Sequence, residues 1–128
     1  MTSEIFPDIT SAALAKTLDA AAARQKTIAN NIANVETPGF KRGTVSFESE
    51  LRRVLDASTE SEIREGLQKL TPIQETDYQS PSRPDGNNVN IDAEISDLAR
   101  TSLKYRAAAT LLENKTGMLR AAISEGKK

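Results

Sequence analysis

Residues 90–123 read NIDAEISDLARTSLKYRAAATLLENKTGMLRAAI, and this stretch decides the fold. Its contact positions recur at alternating steps of four and three residues, the spacing that places side chains on one face of a helix. These positions are Ile91, Ile95, Leu98, Ser102, Tyr105, Ala109, Leu112, Thr116, Leu119 and Ile123. Asn90 is a suitable N-cap, and Gly126 with the terminal lysines suits the other end. The stretch therefore predicts one long helix over residues 90–128.

A second heptad pattern lies near the other end of the chain. Its members are Leu14, Leu18, Ala21, Ile28, Ile32 and Val35, with Gln25 at the one polar position. The helix is expected to start at Ile9 or Ser11. Thr37-Pro38-Gly39 ends it, because proline disfavours helical backbone in the preceding residue and glycine allows a turn. The predicted N-terminal helix occupies residues 11–37, after a flexible N-terminus over residues 1–10.

Two long helices with matching heptad stripes are expected to pair as an antiparallel coiled coil in an all-α fold. The residues expected at the helix-packing and assembly interface are Leu14, Leu18, Ile28, Ile32, Val35, Ile95, Leu98, Tyr105, Leu112, Leu119 and Ile123. Alanines cover further faces of the first helix, and apolar residues beyond the stripe widen the apolar face of the second. Faces this wide indicate contact with more than one neighbour. A monomeric bundle closed by the middle segment is the alternative.

Residues 38–89 are predicted to form an irregular middle segment. Apolar residues on one side indicate short helices over residues 46–55 and 61–70. Residues 71–90 are rich in Pro, Ser, Asp, Gly and Asn, which is typical of an extended loop. Asp85-Gly86 is a turn signal that leads the chain into the C-terminal helix. The segment is thus rich in loops and carries one or two short helices.

Composition excludes most functional classes. The 128 residues include no cysteine and no histidine, which removes thiol nucleophiles, imidazole bases and the main zinc ligands. A formal net charge of −1 provides no basic surface for nucleic acid, and apolar runs of about four residues are too short to span a membrane. Only hydrolysis by paired carboxylates or by serine with lysine stays compatible with these residue types. We therefore predict no enzyme, no cofactor, no metal site, no small-molecule substrate and no direct membrane insertion.

The charged residues Asp92, Glu94 and Asp97 need no catalytic explanation. They fall in the first turns of the C-terminal helix, where the helix dipole favours anions. We interpret them as first-turn helix charges and not as catalytic carboxylates.

Residues 29–41 read ANNIANVETPGFK and form the most distinctive motif. Asparagine is a mediocre helix former, so three of them on a helix of Ala, Ile and Val need a physical reason. They either bind backbone groups of neighbouring chains or fray the helix end. The run resembles the N-terminal signature of the flagellar axial family of rod, hook and hook-associated proteins, through Asn30, Asn31, Asn34, Thr37, Gly39 and Phe40. The run DGNNVNIDAE at residues 85–94 resembles the proximal rod branch of that family.

The resemblance implies a structural subunit of the proximal rod in the bacterial flagellar basal body. Family members leave the cytoplasm through the flagellar type III export apparatus without a cleaved signal, and assemble through their terminal helices in the periplasm. The expected partners are other copies of the chain, other rod or basal-body proteins, and the export apparatus. Export signals are expected within residues 1–9 and near Phe47. The alternative function is a soluble helical adaptor or export chaperone for flagellar axial proteins, which stays in the cytoplasm and folds alone.

Overall fold

A computed structural model describes residues 8–126 and has strands only in its middle segment. The elements are α1 (Ile9–Ala33), β1 (Gly43–Ser46), α2 (Glu48–Leu55), α3 (Glu60–Lys69), β2 (Ile73–Thr76) and α4 (Ile91–Gly126). The chain is mostly helical and has the two long helices that were predicted. Residues 1–7 and 127–128 lie outside the described residues, and with them most of the expected export region and the terminal lysines.

Helix α1 is bounded by a cap at its start and by turns at its end. It begins at Ile9 because the Asp8 carboxylate accepts a hydrogen bond from the Ser11 N–H at 2.7 Å. It ends at Ala33, earlier than the predicted limit. Residues 34–37 form hydrogen-bonded turns instead, so the chain leaves the helix before it reaches the proline.

Helix α4 runs antiparallel to α1 and has 36 residues against 25. The Asn90 side-chain oxygen accepts from the Asp92 N–H at 3.1 Å and fixes the start of α4. Side-chain contacts join Asn31 to Glu94, Gln25 to Ser102 and Asp8 to Lys115. At a rise of 1.5 Å per residue, α4 is roughly 54 Å long and α1 roughly 37 Å. The coiled-coil geometry that the sequence predicts for this pair stays a prediction.

A two-stranded antiparallel sheet corrects the all-α prediction. Gly43 lies opposite Thr76, and Ser46 lies opposite Ile73. Each strand has four residues, and every residue of β2 is exposed. Strand β2 therefore lacks the alternation of apolar and polar residues that identifies a half-buried strand. The two short helices predicted for the middle segment are present as α2 and α3.

The core lies between α1 and the middle segment. Its buried members are Ala20, Phe47, Val54, Leu67 and Leu70, and the residues packed against them are Ile9, Ala12, Ala13, Leu51 and Ile63. Helices α2 and α3 approach closely at Gly66, where a Cβ atom would lie 2.7 Å from a methyl carbon of Val54. Helix α1 thus contacts the middle segment as well as α4. Within residues 8–126, no helix is both long enough and apolar enough to cross a membrane.

Candidate functional site

The two sequence motifs meet where α1 ends and α4 begins. We call this cluster the motif junction and define it by Asn31, Arg42, Gly43, Asn87, Asn88 and Glu94. Asn31 and Asn87 are 0% exposed and Glu94 is 1% exposed, although all three are polar. Throughout residues 8–126, every buried side-chain nitrogen and oxygen has a hydrogen-bond partner. The junction is therefore a closed polar core, which is stable only with its hydrogen bonds complete.

Asn31 connects α1 to the outer edge of β1. Its Oδ1 accepts from the Gly43 N–H at 2.8 Å, and its Nδ2 donates to the Gly43 carbonyl at 2.9 Å. The side chain pairs with Gly43 as a neighbouring strand would, because a carboxamide carries the same donor and acceptor groups as a peptide. The Nδ2 atom also donates to Glu94 Oε2 at 3.1 Å. One side chain therefore links α1, β1 and α4.

Glu94 holds a carboxylate away from water. Arg42 donates from Nε to Glu94 Oε1 at 2.7 Å and from Nη1 to Asp77 Oδ2 at 3.0 Å. Hydrogen bonds from Ser80 in the first place, and then from Arg42, hold the pKa of Asp77 well below its usual range. A buried carboxylate is stable only when it is paired and hydrogen-bonded, and Arg42 supplies both conditions to Glu94.

Asn87 caps the C-terminal end of α1 from a distant part of the chain. Its Nδ2 donates to the carbonyls of Asn34, Val35 and Thr37 at 2.9, 3.1 and 2.9 Å. Its Oδ1 accepts from the Val89 N–H at 2.7 Å. These carbonyls belong to the C-cap residue of α1 and to the turn that follows it, so this one amide fixes the path of the chain as it leaves the helix. The second motif therefore completes the helix that carries the first.

The turn at Asp85-Gly86 brings the two motifs together. Gly86 has a φ of 85°, and a Cβ atom there would lie 3.3 Å from the Cα of Gly39. The Gly39 N–H donates to the Asp85 carbonyl at 2.8 Å. Beyond the turn, the Asn88 Oδ1 accepts from the Arg42 N–H at 2.7 Å. Glycine at position 86 thus permits direct contact between the backbones of the two motifs.

The remaining residues of the N-terminal signature lie around the junction. The Asn34 side chain donates to the Asn30 carbonyl at 2.8 Å and accepts from the Thr37 hydroxyl at 3.1 Å. Asn30, Thr37 and Gly39 are exposed, and Phe40 is half-buried. The asparagine contacts that the structure describes lie within one chain. Contacts of these asparagines with neighbouring chains stay a prediction.

Sequence reasoning did not select Arg42, Asn87 or Glu94 as site residues. Glu94 fits the pattern of a first-turn helix charge, yet it is 1% exposed and paired. A signal for its burial was available, since Glu94 precedes Leu98 by four residues and Thr101 by seven, and both turn inward. Its partner Arg42 lies 52 positions away, which no local pattern reveals.

The predicted helix-packing residues differ widely in burial. Ile28 is buried, and the half-buried members are Leu14, Leu18, Ile32, Val35, Leu98, Leu112 and Leu119. Ile95, Tyr105 and Ile123 are 53%, 39% and 59% exposed. The buried residues of α4 are instead Glu94, Thr101 and Ala108. Small residues allow two helices to approach closely, so the face of α4 with Thr101 and Ala108 turns towards the rest of the chain. The predicted stripe lies at the edge of this buried face.

A groove of about 480 Å³ opens beside the contact between α1 and α4. It is lined by Leu18, Ala109, Leu112, Glu113, Thr116, Gly117 and Arg120. Two of the predicted interface residues, Leu18 and Leu112, therefore lie in its wall. Large apolar side chains are also exposed along α4, and they are Ile91, Ile95, Leu103, Tyr105, Leu111, Met118 and Ile123.

Ion pairs fasten the helices away from the junction. Lys115 of α4 binds Asp8, and this contact followed by the Ser11 N–H lowers the pKa of Asp8 to about 2. Arg24 of α1 donates to both carboxylate oxygens of Glu48, at 2.7 and 2.9 Å, and lowers the pKa of Glu48 to about 2. The two pairs connect α1 to α4 and to the start of α2.

Comparison with known proteins gives consistent results. A family model described as "Flagella basal body rod protein" matches residues 13–41, which include the asparagine motif. The flagellar basal body rod protein FlgB of Borrelia hermsii is 42% identical over 102 residues, covering 69% of this chain and 76% of the relative. FlgB of Escherichia coli K12 is 33% identical over 111 residues, covering 77% and 80%. FlgB of Bacillus subtilis 168 is 30% identical over 128 residues, covering 89% and 92%.

Proposed function

The chain belongs to the FlgB family of flagellar basal body rod proteins, and from this we infer that its two long helices build it into the rod. It is a structural subunit of the flagellar basal body with a role in motility, and it is not an enzyme. The contacts through which it assembles and its route to the rod are our proposal. The rod position nearest the export apparatus, which the sequence resemblance implies, is part of that proposal.

The observation that carries the assembly proposal is the apolar surface of α4. Leu103, Leu111 and Met118 are 66%, 55% and 66% exposed in the single chain. Scattered apolar residues are ordinary on protein surfaces, but a row along one helix is typical of a surface that a partner covers. The partners that fit are other copies of the chain and other rod or basal-body proteins.

We also propose that α1 and α4 pair as an antiparallel coiled coil in the rod. The direction of the pair and the half-buried Leu14, Leu18 and Leu112 support this geometry, since they recur at heptad spacing. Ile95, Tyr105 and Ile123 then lie along the edge of the pair, where a helix of another subunit covers them.

We propose that the chain reaches the rod unfolded, through the flagellar type III export apparatus. Of the two candidate export signals, residues 1–7 lie outside the described residues. The other candidate, Phe47, is 2% exposed and belongs to the core between α1 and the middle segment. An export signal at Phe47 is therefore accessible only before the chain folds, which agrees with export ahead of folding.

Mass spectrometry of detergent-purified hook–basal bodies tests the rod assignment. We expect peptides of this chain at levels comparable with other rod components. Their absence, together with abundant folded chain in the cytosol, contradicts the rod role and supports the adaptor or export-chaperone function.

Substitutions test the assembly residues. We expect Leu112→Asp or Ile32→Asp to abolish incorporation, because each places a charge among half-buried residues of the helix pair. The matched control is Ser124→Asp, which puts the same charge on an exposed position of α4 away from its exposed apolar row and should assemble. Normal rods in both interface variants contradict the assignment of these positions.

A further inference from the structure

Helix α4 carries a second row of residues at heptad-like spacing, separate from the face that packs within the chain. We call it the outer stripe of α4 and define it by Leu103, Ala107, Leu111, Asn114 and Met118, which follow one another at steps of four, four, three and four. All five are exposed. A row with this spacing matches a straight helical partner better than it matches a loop or a strand.

Helix α1 carries a complementary row of small residues. We call it the outer stripe of α1 and define it by Ala22, Lys26, Ala29 and Ala33, at steps of four, three and four. All four residues are exposed. Alanine leaves room for a large side chain from a facing helix, so this row suits the leucines and methionine on α4.

We propose that the outer stripe of α4 in one copy packs antiparallel against the outer stripe of α1 in a second copy, with Leu111 facing Ala29. The proposal rests on the rod function and deepens it by naming the partner and the register. This register puts Met118 opposite Ala22 and Ala107 opposite Ala33, so large residues face small ones. Its polar positions match as well, since Asn114 lies opposite Lys26.

The neighbouring registers fit less well. Moving one helix by seven residues carries Leu111 past Ala33, the last residue of α1, and leaves it without a facing residue on that helix. Moving it seven residues the other way places Lys104 and Arg100 against Ala29 and Ala33, next to Lys26, so that three positive charges gather. Of these three registers, the one with Leu111 at Ala29 keeps Leu111 against α1 without gathering positive charges.

The register differs from the contact within one chain. Inside a chain Asn31 lies beside Glu94 and Gln25 beside Ser102, so Ala29 lies level with α4 residues well before Leu111. The second copy is therefore displaced along the helix axis by roughly 20 Å, at 1.5 Å per residue. Because the two stripes belong to different helices and different faces, the contact is heterologous and repeats from copy to copy without closing.

Engineered disulfides test the register, and the absence of native cysteines makes this direct. Full-length chain carrying both Ala29→Cys and Leu111→Cys replaces the native chain in flagellated cells, and hook–basal bodies are purified, oxidised and separated without reductant. We expect covalent oligomers of the chain, beginning at the dimer, because facing positions bring the cysteine Cα atoms within the range of about 4.4–6.8 Å that a disulfide needs. Ala22→Cys with Met118→Cys is the second pair and should give the same result.

The control pair is Ala29→Cys with Leu103→Cys. It keeps both stripes but misplaces the thiols by roughly 12 Å, so it should stay monomeric. A cross-link in Leu111→Cys alone shows that α4 meets α4, and this overturns the proposal. Incorporated chain that stays monomeric in either on-register pair also overturns it, leaves the rod function standing, and assigns the stripe to another rod component. Absence of the unsubstituted chain from basal bodies contradicts the rod function itself.

Discussion

The motif junction and the outer stripe of α4 have opposite chemistry and opposite exposure. The junction is built from asparagines and a paired carboxylate that are at most 6% exposed, and its hydrogen bonds stay inside the chain. The outer stripe is built from leucine, alanine and methionine, and its large members are 55–66% exposed. Polar residues therefore join α1 to the start of α4 at the junction, whereas apolar residues along α4 are left for partners.

At the junction this reverses the usual arrangement of a small domain, in which apolar residues join the elements and polar residues face solvent. It follows from the shape of the molecule. A helix pair with one small core beside α1 has little interior, so α4 exposes much of its length. Polar side chains that reach backbone groups are then the efficient means of joining the chain segments, because each forms several directed bonds.

The largest expected effect comes from removing the buried carboxylate of the junction. Glu94→Ala leaves Arg42 without its partner on α4 and removes one of the two acceptors of the Asn31 amide, so we expect the free energy of unfolding to fall by about 3 kcal/mol. Urea denaturation followed by circular dichroism measures the change. Glu113→Ala, at an exposed position of the same helix, is the control and should stay within about 0.5 kcal/mol. A loss below about 1 kcal/mol for Glu94→Ala contradicts the role of the junction.

The second-largest expected effect is a local loss of stability at the C-terminal end of α1. Asn87→Ala removes the donor shared by three carbonyls, and we expect a loss of about 2 kcal/mol. Amide hydrogen exchange should show faster exchange at residues 34–37 than in α3. The control Asn114→Ala removes an exposed asparagine from α4 and should leave both regions unchanged. Equal acceleration in α3 and residues 34–37 indicates general destabilisation and speaks against a specific cap.

The long helices could be predicted because their signals are local. Heptad spacing, the Asn90 cap and the Thr37-Pro38-Gly39 stop each need only a short window of sequence. The strands could not, because β1 and β2 are four residues each and Gly43 pairs with Thr76 across most of the middle segment. Their pairing is decided by α1, since Asn31 occupies the outer edge of β1 at Gly43.

The site was predicted less completely than the fold. The asparagine motif was identified from the sequence, but the contacts that explain it were not. Asn31 binds Gly43 and Glu94, and Arg42 binds Glu94 in turn. Heptad spacing predicted a stripe on α4 but not which face of the helix turns towards the rest of the chain. Thr101 and Ala108 lie on that buried face. Small residues carry little hydrophobic signal, although they permit the closest helix approach.

A smaller, pH-dependent effect on the free energy of unfolding is expected at the N-terminal end of α1. Asp8 caps α1 and binds Lys115, and its pKa in the folded chain is about 2 against an ordinary value of 3.8. Because the pKa of Asp8 is lower in the folded chain than in the unfolded chain, the ionised carboxylate stabilises the fold at pH values above about 4. This contribution is lost as the pH falls from about 4 to 2. The Asp8 side chain is 38% exposed, so screening limits the contribution to the value of a cap, about 1 kcal/mol.

Asp8→Ala should therefore lower the free energy of unfolding by about 1 kcal/mol at pH 7 and by little at pH 2. Thermal unfolding of the two proteins at both pH values measures this. Asp19→Ala, at an exposed position within α1, should change stability by less than about 0.5 kcal/mol throughout. A difference between native chain and Asp8→Ala that is as large at pH 2 as at pH 7 shows that the carboxylate is not the cause.

The substitution with the smallest expected effect on stability, Leu111→Gln, should abolish motility. Leu111→Gln replaces an exposed side chain by one of similar helix propensity, so the free energy of unfolding should change by less than about 0.5 kcal/mol. Swimming in soft agar should nevertheless be lost, because the polar amide of glutamine, unlike the small apolar cysteine of the cross-linking variants, would be buried against alanine in the next copy. Ser124→Gln, also exposed but on another face of α4, should swim normally. Normal swimming of Leu111→Gln removes the outer stripe from the assembly surface, whereas a stable but non-motile variant separates the residues that fold this subunit from those that join it to others.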